Sequence, residues 1–230
     1  MIFSISLLIV PFLMFGNMPF QADTKTLAAH EFSLGNRYEA PRPNGRGSFS
    51  ASQLADNAFV NGVFKDNILL AVNYATKEEI VVKDIDWEEI NAPFKQEMTL
   101  EPGQTFAFHS DVLPEYSGKV TKTLNARFTA QDGFKSDGYL YGDGVCHLAS
   151  LLYWVAKDAN LETKAPTRHD FAIVPDVPRE FGVSIYDNSF TQSSSDKLQN
   201  LYIKNNRDKT VVFEFKYDGE TLTVSAKEKV

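Results

Sequence analysis

Residues 142–162 read GDGVCHLASLLYWVAKDANLE, and this stretch decides the fold. Leu148, Leu151, Leu152, Val155, Ala156 and Ala159 recur at the three- and four-residue steps of one apolar helical stripe. Asp143 is placed to cap the start of such a helix, which would put Cys146 at its third position. There the helix dipole and the unpaired amides would stabilise a thiolate and lower its pKa. Gly142 and Gly144 would let a backbone or a substrate approach closely. Ser150 lies one turn beyond Cys146 on the same side. Together with His147, these residues (Gly142, Asp143, Gly144 and Ser150) form a candidate ligand-binding group.

Upstream, residues 50–76 repeat apolar residues at helical steps: Leu54, Ala58, Val63, Phe64, Ile68, Leu69 and Val72 predict a second amphipathic helix capped by Ser50 or Ser52. Between and beyond the helices the pattern changes to short strands. EIVVKDI is β-branched, EMTLEPGQTFAFHS predicts two strands about a Pro-Gly turn, and GKVTKTLNARFTA alternates imperfectly. After Pro166, DFAIV, GVSIYD and NLYIKNN are expected as strands. The final pair is the clearest: Val211, Phe213, Phe215 and Tyr217 alternate with Val212, Glu214 and Lys216, and Asp218-Gly219 favours a two-residue hairpin turn. The sum is an α+β fold, a mostly antiparallel sheet system with two main helices, the central one starting at Cys146.

Residues 23–50, ending YEAPRPNGRGSFS, are polar and rich in Pro and Gly, so they are expected as a linker or extended arm before a single domain over 51–230. Residues 2–15 are almost all apolar, of the length of a signal-peptide core and too short to span a bilayer comfortably. No Lys or Arg precedes them, and bulky Phe20 stands where a cleavage site wants a small residue. The expectation over 1–22 is a signal peptide or a short membrane anchor through residues 1–15, and hence an extracytoplasmic or membrane-anchored protein.

A net charge of -7 with no basic run argues against a nucleic-acid partner. The single cysteine excludes an internal disulfide framework and a multi-cysteine zinc site. Three roles for Cys146 stay open. As a nucleophile it would need a base, and His169, at a loop-to-strand junction, is better placed than His147, which points about 100° away around the helix. Asp187 would orient that base, with Asp170 and Asp176 nearer in sequence. As a metal ligand it would join His147, His169 and His109, although their spacing follows no recognised metal motif. As a small apolar residue it would simply pack. No cofactor and no metal is expected.

At these residues the chain resembles the VanW family, named for a protein encoded in some vancomycin-resistance clusters. The matching stretches are GDGVCHLASLLYWVAKDANLE, RHDF, GVSIY and LYIKNN, with MTLEPGQTFAFHSDVLPE upstream as the family's Pro-Gly hairpin; together they cover about residues 85–217. The chain departs from the family where His147 replaces a Gln, LASL replaces a Ser-Thr pair, and Gly182 stands near an Asp. The resemblance implies a bacterial cell-envelope location. The order of cysteine, histidine and acid also looks like a transglutaminase-like arrangement. Two functions follow as expectations: an accessory or binding domain for cell-wall peptide or glycan, with aromatic contacts from Tyr139, Tyr141, Tyr153 and Trp154, or a cysteine acyltransferase or amidase using Cys146 and His169.

Overall fold

The computed structural model describes residues 23–35, 37, 51–77, 80–138, 141–187 and 196–230. The expected signal or anchor over 1–22, Tyr139 and the serine run at 193–195 lie outside them. The described strands form two four-stranded sheets. The first has the order β1-β8-β7-β2, with β1 (Thr24–Ser33), β2 (Phe94–Leu100), β7 (Val211–Tyr217) and β8 (Thr221–Lys229) all antiparallel. The second has the order β4-β3-β6-β5, with β3 (Thr105–Ala107), β4 (Val120–Lys122), β5 (Glu162–Lys164) and β6 (Tyr202–Lys204). Among the described strands only the β3–β4 pair is parallel. Three α-helices complete the fold: α1 (Ala51–Thr76), the short α2 (Trp87–Asn91) and α3 (Val145–Asp158). The α+β architecture with mostly antiparallel sheets is the one the sequence predicts.

The β7–β8 hairpin forms because one face of β7 is uniformly apolar. Val211, Phe213 and Phe215 are fully buried and Tyr217 nearly so. Burying each such side chain contributes about 1.5–3 kcal/mol relative to leaving it in water. The hairpin tip falls one residue later than expected. Asp218 N–H donates to Thr221 O at 3.3 Å, so Gly219 and Glu220 occupy the turn, and Gly219 supplies the positive φ of 110°. The stripe of α3 is buried from Leu148 through Ala156, and it packs against β1, β8, β5 and α1.

Three expectations are corrected. The first part of the expected linker is β1, which pairs along β8 from Thr24 to Ser33. His30 of that strand stacks on Trp154 of α3 at 3.5 Å and bonds Asp158 through Nε2 at 2.7 Å, so β1 is fastened to the central helix. The Pro-Gly segment is not a hairpin: β2 joins β7 in one sheet while β3 joins β6 in the other, so residues 101–104 carry the chain between sheets. EIVVKDI gives a short 3-10 turn at Val82–Asp84, followed by α2 with Asp86 as its cap, accepting from Glu88 N–H at 2.8 Å.

DFAIV and GVSIYD form no strands either; the only ladder contact there is the isolated bridge between Arg168 and Val183. Pro175 and Pro178 remove backbone donors just beyond DFAIV, and Asp176 between them takes a left-handed φ of 63°.

Candidate functional site

The bare segment 182–187 is held to α3 by two side chains in place of a sheet ladder. Ser150 Oγ donates to Cys146 O at 2.7 Å and accepts from Val183 N–H at 2.9 Å. Cys146 Sγ accepts from Ile185 N–H at 3.3 Å and donates to Ile185 O at 3.5 Å. The two residues sit one turn apart, so their side chains meet alternate residues of the facing chain. Flanking bonds from Ser184 N–H to Thr167 O and from Tyr186 N–H to Gln199 O extend the seam.

This geometry corrects the expected activation of Cys146. The N-cap of α3 is Gly144, in a left-handed conformation with no side-chain capping bond, and Asp143 precedes it. Cys146 is therefore the second helical residue. It is half-buried, yet burial of its sulfur, together with the charge of Asp143, outweighs the Ile185 bond and pushes the thiol up to about 11. The two glycines admit neighbouring backbone and side chains, as their lack of a side chain allows. A Cβ on Gly144 would meet Phe64 O of α1 at 2.7 Å, and one on Gly142 would meet Phe128 Cβ at 2.7 Å.

A cleft of about 530 Å³ opens at the start of α3. Gly142–His147 line its floor with Phe64 of α1 beneath. Its walls are 127–129, 169–173 and 184–187. The rim is apolar and open to solvent: Ile173 is 80% exposed, Phe171 76% and Tyr141 57%. Lone exposed apolar residues need no explanation, but these three, with Tyr186 exposed beside them, gather around one cavity as a contiguous apolar rim.

His147 and His169 share the cleft wall, their rings 6.2 Å apart and nearly perpendicular. Both are held neutral. Burial, with the nearby Arg37 charge and His169, lowers His147 to about 3, and burial lowers His169 below its usual value. His169 Nδ1 donates to Ala172 O at 3.0 Å, which leaves Nε2 as the lone-pair nitrogen of the neutral ring. His147 Nδ1 is buried with no hydrogen-bond partner. Asp143 also keeps a buried, unpartnered Oδ2, and burial beside Asp137 raises its carboxyl to about 7.

Among the described residues none of the expected acids hydrogen-bonds the His169 ring, although the charge of Asp170 acts on it. Asp187 lines the same cleft, but burial raises its pKa and its closest charge partners are His109 and Arg127. Asp176 pairs with Arg37 at 2.6 Å, and Asp170 with Arg168 at 3.6 Å. Gly182, near the place of the family acid, carries the carbonyl that accepts from His169 N–H at 3.2 Å, and a Cβ there would press on His169. His109 is fully buried apart from the cleft: Nε2 donates to Gln199 O at 2.9 Å and Nδ1 accepts from Asn200 Nδ2 at 3.3 Å. Among the described residues no three of His, Cys, Asp and Glu are placed to hold a metal ion.

Sequence reasoning missed Arg37, Arg127, Phe171 and Ile173. Arg37 sits in a Pro- and Gly-rich stretch, and Phe171 and Ile173 alternate as a half-buried strand would. Of the aromatic residues expected to meet a ligand, Tyr141 does line the cleft, whereas Trp154 stacks on Phe181 and Tyr153 packs edge-on against it.

Two small sheets packed with a central helix, and a partly apolar cleft at that helix's start, define an α+β domain; a second, more polar cavity of about 510 Å³ lies apart from it, lined by Tyr74, Ser110 and Tyr116. The family model described as VanW like protein matches residues 90–226, more than half of the chain, and the protein belongs to that family. The match takes in the β7–β8 hairpin beyond the stretch 85–217 that the motifs suggested. No curated protein and no solved structure matches the chain.

Proposed function

We propose that this VanW-like domain is a non-catalytic binding or accessory module of the bacterial cell envelope, taking cell-wall material, peptide or glycan, into the cleft at the start of α3. Residues 1–22 would provide export or membrane attachment. The cleft's exposed apolar rim, Phe171, Ile173 and Tyr141, carries the proposal. The state of Cys146 supports a binding role over acyl transfer, because a thiol near 11 holds roughly one thiolate in ten thousand at neutral pH and its sulfur is engaged with Ile185.

Calorimetric titration of the full chain with solubilised wall fragments carrying both glycan and stem peptide tests this function. Binding that weakens by about tenfold or more in the Phe171→Ala, Ile173→Ala double variant is expected, since such anchors carry much of a binding energy. Absence of binding, or a double variant that binds like the parent, overturns it.

A further inference from the structure

We infer that the floor of the cleft is a subsite for a neutral, hydroxyl-bearing sugar ring, hydrogen-bonded by His147 and His169 and faced by Tyr141 and Phe171. This deepens the binding function proposed above and rests on it.

Three features narrow the ligand chemistry. The first is the supply of unused polar atoms. His147 Nδ1, Asp143 Oδ2 and Arg37 Nε, all on residues lining the cleft, are buried without partners, and His169 Nε2 beside them carries a lone pair. Buried polar atoms without partners are costly, so their gathering at one cavity wall points to a ligand that completes them. A hydroxyl both donates and accepts, so it satisfies His147 in either tautomer; an ammonium can only donate and a carboxylate can only accept.

The second feature is charge. Arg37 and Arg127 on the wall face two acids: Asp176, which pairs with Arg37 at 2.6 Å, and Asp187, whose carboxyl burial raises against the opposing charge of Arg127. Neither imidazole adds a charge at neutral pH. A cleft without a dominant sign selects weakly for ions and suits a neutral ligand.

The third is shape and surface. Phe171 lies 4.0 Å from the His169 ring by centroids, so an exposed aromatic stands directly beside a hydrogen-bonding group. Tyr141 contributes a second exposed ring at the helix start. An amphipathic ring that stacks its C–H face on an aromatic while its rim hydroxyls reach polar atoms needs this pairing. A flexible peptide would instead bring backbone amides in ladder order, and 182–187 has already committed the N–H groups of Val183, Ser184, Ile185 and Tyr186.

The test compares two halves of the wall polymer on the intact chain. Calorimetry is run with a tetrasaccharide of N-acetylglucosamine and, separately, with a synthetic stem pentapeptide. The tetrasaccharide is expected to bind, with affinity falling about tenfold or more in both His169→Phe and Tyr141→Ala. Tyr141 is exposed, so that variant keeps the fold even if the histidine change disturbs it. If the pentapeptide binds as tightly as the combined wall fragment and the tetrasaccharide does not, the sugar subsite is overturned while the binding function stands. Tetrasaccharide binding unchanged in both variants also overturns it. If neither probe nor the combined fragment binds, the binding function itself fails.

Discussion

The β7–β8 hairpin and the 165–187 segment both flank α3, and they are held by different forces. The hairpin is joined along its whole length by backbone ladders and buries Phe213 and Phe215 completely. The 165–187 segment has one bridge of its own; Ser150, Cys146 and a few loop bonds hold its backbone, and Val174, Val177, Val183 and Ile185 anchor it in the core. It leaves Phe171 and Ile173 in water. The difference places the larger share of buried apolar surface in the hairpin and leaves uncovered, in the segment, the apolar area that the proposed ligand would meet.

The largest effect that could break this contrast is a core truncation. Phe213→Ala should cost about 3–5 kcal/mol in chemical denaturation, whereas an equal loss from Phe171→Ala would erase the distinction between the two regions.

Next comes the acid sensitivity of the cleft. His147 has its pKa lowered to about 3 in the fold, so the unfolded chain binds more protons between about 3 and the ordinary value near 6.5. Its contribution is present above that ordinary value and is lost as pH falls toward 3. His147→Phe should therefore flatten the loss of stability in this window, measured by denaturation from pH 7 to pH 4. A variant with the parent's slope would remove His147 from the account.

Cys146 gives the opposite sign. Its folded pKa of about 11 exceeds the ordinary value of 9.0, so its contribution is full below 9 and fades as pH rises towards 11. Alkylation of the folded protein should be slow at neutral pH and accelerate on unfolding. Rapid labelling at pH 7 would return the thiol to the list of nucleophiles.

A smaller effect is expected at the seam itself. Ser150→Ala leaves Val183 N–H without its buried acceptor and should cost about 1–3 kcal/mol. Amide exchange at Val183 should quicken while exchange along β7 stays unchanged; equal acceleration in both would mean the segment is not a separate unit. Smallest is Phe171→Ala, within about 0.5 kcal/mol of the parent in stability, as befits an exposed position, while binding of wall fragments weakens.

Local pattern determined a good deal of this protein. The apolar stripe of α3 and the alternating β7 face are periodic over many residues and bury the face that their period assigns; 51–76 is the expected helix, but over 67–75 it is buried on every side and not along one stripe. The motifs around Cys146 likewise placed the chain in its family.

Long-range contact decided the rest. Whether His30 lay in a linker or a strand depended on β8, almost two hundred residues away, and on Trp154. Whether DFAIV and GVSIYD became strands depended on partners that the prolines and the α3 side chains denied them. The same holds for Cys146. Its place at a helix start predicts an acidic thiol, but burial and the charge of Asp143 raise it despite the opposing bond to the Ile185 backbone, because desolvation is set by every element packed around a group and not by its position along one helix.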